Sequence, residues 1–204
     1  MSIETHLKDL YKYFQTPDKE ALKKSLRDVH HEGIFSLVFS GTENGKLKRV
    51  FISDVKLKPF EVQLHSHRYP LRITVLKGDV KHYIAERTKS KTGVTMSTFI
   101  YKSPLNGGSG LSYFEDDKFN IIEHQLPVGS VIELSNLDIH TMSCSKGSIW
   151  VVEEMGFKDD SSIVVGVPFI TEDLYKEPLQ YQTNDNFQLV KKTLKKLINH
   201  YDNV

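Results

Sequence analysis

Val62-Gln63-Leu64-His65-Ser66-His67, followed a few residues later by Leu71-Arg72-Ile73-Thr74-Val75-Leu76-Lys77-Gly78, is the stretch on which the reading of this chain turns. Residues two apart on a β-strand share a face, so a strand here projects both imidazoles to one side. Neutral imidazole is the commonest protein ligand for zinc, iron, copper and nickel. Two rings side by side make half of a tetrahedral or octahedral site. Taken alone the pair is weak, because nine histidines in 204 residues give about 0.4 His-x-His pairs by chance.

Working outward, residues from Ile34 to about Ile170 alternate short β-branched and aromatic runs with turn signals, the texture of an all-β sandwich or barrel. The runs are Phe35–Phe39, Val50–Leu57, Glu61–His67, Leu71–Leu76, Val80–Ala85, Val94–Tyr101, Phe119–Leu126, Val131–Leu134, Ile149–Glu154 and Ser162–Val167. Asn44-Gly45 between two of them signals a hairpin. Gly107, Gly108 and Gly110 mark a loop; their spacing does not make a phosphate cradle.

The ends of the chain read differently. Leu7, Leu10, Tyr11 and Phe14 recur at helix spacing. Thr16-Pro17 looks like the start of a second helix, with Ala21, Leu22, Leu26 and Val29 on its buried face and Gly33 as its C-cap. His30 and His31 then fall at a helix end, where a cationic side chain suits the dipole. Phe187, Val190, Leu194, Leu197, Ile198 and Tyr201 form a C-terminal helical stripe that either docks on the barrel or pairs two subunits as a homodimer. The expected division is a helical segment over residues 1–32, a barrel over 33–172 and a helical extension over 173–204.

Around the histidine pair the spacing resembles the cupin superfamily. Its first motif runs Gly, five residues, His-x-His, three or four residues, Glu, six residues, Gly; its second runs Gly, five residues, Pro-x-Gly, two residues, His, three residues, Asn. His65, His67 and Gly78 match the first, and Gly129 and His140 match the second, in register over roughly residues 50 to 155. The opening glycine is replaced by Pro59, and the glutamate by Leu71 or Arg72. The remaining positions of the second motif hold Ser135, Leu137 and Cys144. The resemblance implies a mainly β, cupin-type jelly-roll barrel that holds one divalent metal through His65, His67 and His140.

Loss of the glutamate has an electrostatic consequence. Three neutral imidazoles leave the +2 charge of an ion uncompensated, which favours an anionic ligand, and they leave open coordination positions. Among cupins a three-histidine centre is similar to the thiol dioxygenases, which use Fe(II), so Fe(II) is favoured over zinc, manganese or nickel. That likeness implies an arginine and a tyrosine near the substrate, for which Arg72, Arg68, Tyr69 and Tyr83 are candidates. His82 shares strand parity with Val80 and Ile84, and becomes a fourth ligand or an acid–base group if that face points inward. Glu153 is a candidate for the absent carboxylate, and Cys144 reads as a small buried hydrophobe.

Composition narrows the classes. The 27 basic and 26 acidic residues are mixed along the chain, and the run Lys191, Lys192, Lys195, Lys196 reads as a solvated helix face, so nucleic acid is a poor partner. A single cysteine, with neither an apolar start nor a span of about 20 apolar residues, suggests a soluble cytoplasmic protein that does not engage membranes. The functional expectation is a mononuclear non-heme dioxygenase acting on a small anionic, thiol-like molecule. Two alternatives stand beside it: a non-catalytic cupin binding a sugar or nucleotide, and a metal-assisted isomerase or epimerase with His82 or a tyrosine moving the proton.

Overall fold

A computed structural model describes residues 2–15, 23–38, 47–103, 107–156, 159–166, 179–180 and 185–202. In chain order the elements are α1 (Ile3–Tyr13), β1 (Leu26–Arg27), β2 (Ile34–Val38), β3 (Lys48–Ser53), β4 (Leu64–His65), β5 (Leu71–Lys77), β6 (Val80–Arg87) and β7 (Val94–Lys102). They continue with β8 (Gly110–Leu126), β9 (Val131–Leu134), β10 (Ile139–Cys144), β11 (Ile149–Glu154), β12 (Ser162–Gly166), β13 (Leu179–Gln180) and α2 (Asp185–Tyr201). The architecture is mainly β, an antiparallel two-sheet barrel with helices from both ends of the chain, as the sequence texture leads one to expect.

Two antiparallel sheets build it. One has seven strands in the order β13-β1-β2-β3-β11-β5-β9. In the other, β10, β4, β12, β7, β8 and β6 pair in a ring. Between the sheets lies an apolar layer that includes Leu57, Val62, Leu71, Ile73, Val75, Leu134, Trp150 and Val152. Alternation along the strands sends the other set outward: Leu37, Val50, Ile52, Leu76, Ile149 and Val151 form the outer face of the seven-stranded sheet. Bare, that face would be an apolar plane in water. The two helices cover it with Leu7, Leu10, Phe14, Phe187, Val190, Leu194 and Ile198, all buried. The C-terminal stripe therefore docks within the same chain. Among the described residues no helix is long and apolar enough to cross a membrane.

The first helix ends at Tyr13, ahead of Thr16 as expected; the second, expected to run to Gly33, is not continued beyond Leu26, where the chain is strand and turn. Thr16, Pro17, Ala21 and Leu22 lie outside the described residues, as do Asn44 and Gly45. Leu26 belongs to β1, which pairs with β2 and β13. Asp28 and His30 take left-handed φ values of 58° and 65°, which no α-helix permits. Gly33 caps no helix either; at φ 83° it sits in the β1–β2 turn and donates its N–H to Asp28 Oδ1 at 2.8 Å. Strand β10 is not among the expected runs, since Ile139-His140-Thr141-Met142-Ser143-Cys144 carries no alternating apolar pattern.

Both matched motif glycines occupy turns that exclude a side chain. Gly78, at φ 97°, joins β5 to β6, where a Cβ would overlap Ser148. Gly129, at φ 88°, sits before β9 against the Tyr201 phenol of α2. Gly78→Ala is expected to cost about 2–4 kcal/mol, from left-handed strain plus overpacking, read as a lower urea midpoint with an unchanged slope. A midpoint equal to wild type would contradict this tight approach.

Candidate metal centre

Register places the histidines before any metal is considered. His140 of β10 pairs directly with His65 of β4, and on its other side with Ile84 of β6. His67 lies just beyond the end of β4, which is shorter than the expected run Glu61–His67. Ser66 between the two histidines is buried and tied to β12: its N–H donates to the Ile163 carbonyl at 2.8 Å, and the Ile163 N–H donates to Ser66 Oγ at 2.9 Å. With Ser66 fixed to the neighbouring strand, His65 and His67 emerge together, ring centroids 4.8 Å apart. The His65–His140 and His67–His140 centroids are 5.3 and 5.0 Å apart.

The candidate ligand atoms of His65, His67 and His140 lie within 4.8 Å of one another. A metal–nitrogen bond of about 2.1 Å separates two donors by about 3.0 Å at a right angle and about 3.4 Å in a tetrahedron. The Nε2 atoms of His67 and His140 are 2.8 Å apart, and modest spreading of these two with inward closure of His65 meets either geometry. His65 Nδ1 lies 2.8 Å from the Gln63 carbonyl, to which it donates, and this leaves Nε2 as the ligating atom. The donor set fits a divalent ion.

Burial keeps the rings neutral, the form that ligates. His140 is held well below the usual imidazole range, by desolvation first and then by His67, His65, His82 and His30. His67 is also held well below it, by desolvation and then by His65 and His30. His65 is lowered by desolvation, partly opposed by its bond to Gln63. Protonating any of them would bury a charge beside other imidazoles.

His82 does point inward, but behind His140 and away from the open cavity. Its Nε2 lies 2.8 Å from His140 Nδ1, and both side chains are buried. It sits opposite Met142, diagonal to His140, a reach that long side chains span across a strand pair. When His140 ligates through Nε2, its Nδ1–H donates to His82 and the ring is fixed. In that arrangement His82 would position a ligand ring from behind, and it is not among the residues that line the cavity.

The rings open on a cavity of about 210 Å³. Its walls are mostly apolar, with Phe51 and Trp150 stacked at 5.5 Å and 8°. Tyr69, Arg49 and Glu154 are among its polar members. Arg49 Nε is 3.5 Å from Glu154 Oε1, so the cation is compensated, and Glu154 Oε2 also accepts from the Leu47 N–H at 3.1 Å. Tyr69 is pushed above the usual phenol range by desolvation and then by Glu154, so it remains a hydrogen-bond donor.

Other expected residues lie elsewhere. Arg72 faces the opposite side of its sheet, 2.8 Å from Glu133 and 4.0 Å from Glu153, because its odd-numbered neighbours Leu71 and Ile73 take the inner face. Tyr83, one residue out of phase with His82, meets Ser143 Oγ at 3.3 Å and the Phe60 ring at 5.2 Å. Arg68 lies over the Tyr69 ring, 5.9 Å from its centroid, and is not part of the cavity wall. Glu153 points beneath α1 to Lys48 and His6, at 3.3 and 3.4 Å, so it brings no carboxylate to the histidines. Its neighbour Glu154 has the inward parity, shared with Trp150 and Val152, and that signal was legible. Cys144 is buried in the inter-sheet layer with its thiol pushed up by desolvation, an inert packing residue. His30 lines the cavity, its ring 4.8 Å from that of His65.

Neither a protein-family model nor a curated protein matches the sequence. Among solved structures, hydroxypropylphosphonic acid epoxidase from S. wedmorenis aligns with a TM-score of 0.43 at 15% identity, over 69% of this chain and 58% of that one. The FeII form of HppE gives 0.42 and 16%, over 69% and 58%. Hydroquinone 1,2-dioxygenase PnpCD, in complex with Cd2+ and 4-hydroxybenzonitrile, gives 0.34 and 11%, over 59% and 63%. The chain thus spans under two thirds of the length of each, and likeness at this level says nothing of activity.

Acid should destabilise the metal-free protein through these rings. Burial, followed by His124, lowers His82 from 6.5 to about 4 in the folded state, so between those values the unfolded chain binds more protons and stability rises with pH. In chelator, the urea midpoint is expected to fall as pH drops from 7 to 4.5. The fall should be smaller in His82→Gln. Equal slopes for the two proteins would show that His82 is not buried as a neutral base.

Proposed function

We propose that the protein is a mononuclear metal-dependent oxygenase that takes a small, largely apolar substrate through one anionic donor atom. The observation that carries this reading is the convergence of His65, His67 and His140, without a carboxylate in the cluster they form, on a mostly apolar cavity. A bound redox-active ion, Fe(II) in the favoured assignment, would supply a Lewis acid with open positions for an anion and O₂.

The chain's own residues define the rest. The uncompensated charge at three neutral imidazoles attracts a thiolate or enolate. Phe51, Trp150, Leu57, Val62, Ile73 and Val152 receive hydrocarbon and exclude water. The Tyr69 phenol is placed to donate to a polar end of the substrate, while His82 holds the His140 ring. Sugars and nucleotides need several convergent polar partners, and the described wall is mostly apolar with Arg49 and Glu154 committed to each other. The same comparison weighs against a zwitterionic amino-acid substrate, since Arg49 is already paired with Glu154.

Protein prepared without a nickel column is expected to carry about one transition-metal ion per chain, and His65→Ala and His140→Ala to lose it. Less than about a tenth of an equivalent, with stability unaffected by chelator, would remove the metal centre. Fe(II)-loaded protein should consume O₂ with some members of a panel of apolar thiols and 1,3-diketones; silence across the panel would count against an oxygenase. His82→Phe should weaken metal affinity by about 10–100-fold without removing the site.

A further inference from the structure

We infer that His30, carried on the β1–β2 turn, is a fourth imidazole ligand of the same centre, standing in for the carboxylate the cluster lacks; this rests on the three-histidine reading above.

Three independent observations meet at this residue. Its ring lines the cavity that His65, His67 and His140 open onto. The His30–His65 centroid separation of 4.8 Å equals that of His65–His67 and lies close to those of the other two pairs. With metal–nitrogen bonds of about 2.1 Å, ring centres of two ligands on one ion lie about 4.6 Å apart at a right angle and about 5.3 Å apart in a tetrahedron. All four separations fall in that interval. Finally, neither His30 ring nitrogen has a hydrogen-bond partner among the described residues, whereas His65, His82 and His140 each commit one.

The backbone explains how a residue outside both histidine motifs arrives there. Asp28 and His30 both adopt left-handed φ, uncommon for residues with a Cβ. The conformation is held by Val29 N–H to the Ile34 carbonyl at 3.0 Å and by Gly33 N–H to Asp28 Oδ1. An ordinary tight hairpin between β1 and β2 would leave this loop in solvent; the observed turn places Val29 and His30 on the cavity wall. His30 is exposed, where His65 and His67 are half-buried and His140 is buried, and it stands outside the group whose ligand atoms lie within 4.8 Å. Coordination therefore draws the turn inward across the open side of the cavity, and it leaves fewer free positions than a three-histidine site.

The test counts imidazoles and needs no turnover. Chelator-stripped protein is loaded with Cu(II), and the bound imidazoles are counted by pulsed EPR; Zn(II) affinity is measured by chelator competition. Wild type is expected to show four imidazoles and His30→Asn three, with Zn(II) bound at least about tenfold more weakly, beyond the low end of what losing an outer hydrogen-bond partner costs. Asparagine tolerates the left-handed backbone, and circular dichroism of the metal-free variant checks the fold. His31→Asn, on the same turn, should keep four. Three imidazoles in wild type, or an unchanged count and affinity in His30→Asn while His65→Ala loses the ion, overturns the fourth ligand and leaves the three-histidine centre standing. If wild-type protein takes up neither Cu(II) nor Zn(II) stoichiometrically at this site, both fall together.

Discussion

The pairing of β10 with β4 at His140 and His65 sets two things at once. It completes the ring of six strands, and it places two imidazoles side by side that are 75 residues apart in sequence. The strand doing this is minimal: β4 has two residues. Its position is fixed by neighbours, through Val164 and Val165 of β12 on one edge and through Ser66 just past its end. The candidate centre is thus a property of strand register, and a slip of one residue would turn both rings away from the cavity.

Electrostatics then converts proximity into donor capacity. Imidazoles packed this closely cannot all carry protons, and burial adds to that penalty, so their lone pairs are exposed to one another across a few ångströms. In the metal-free state His67 and His140 satisfy each other through a hydrogen bond. A cation satisfies both without requiring either to be a donor. His82 behind His140 supplies the orientation that a flexible ring would otherwise lack.

The sequence made the barrel and three of the clustered histidines legible because both rest on short-range regularities. Short β-branched and aromatic runs mark β9 and β11, which match their expected bounds, and motif spacing points to His140 even though the strand carrying it has no such run. β10 was invisible because it is bonded on both edges and needs few apolar side chains to hold it. His30 was misassigned since 28–33 carries the polar residues of a helix end, and only pairing of β1 with β2 turns it into a loop over the cavity. Residue type alone offers Arg72 and Tyr83, and strand parity, which needs the inward face to be known, places both outside the cavity.

The outer sheet face has a consequence for how the chain is made. Its apolar residues span positions 37 to 151, yet a large share of their cover, Phe187 to Ile198, lies near the C-terminal end. α1, made before the sheet, can shield part of that face through Leu7, Leu10 and Phe14. The remainder stays bare until α2 has been made and has docked. A chain in which Phe187 to Ile198 have yet to dock presents a greasy plane to its surroundings, so the interval before α2 packs down is the one in which a holdase has most to bind.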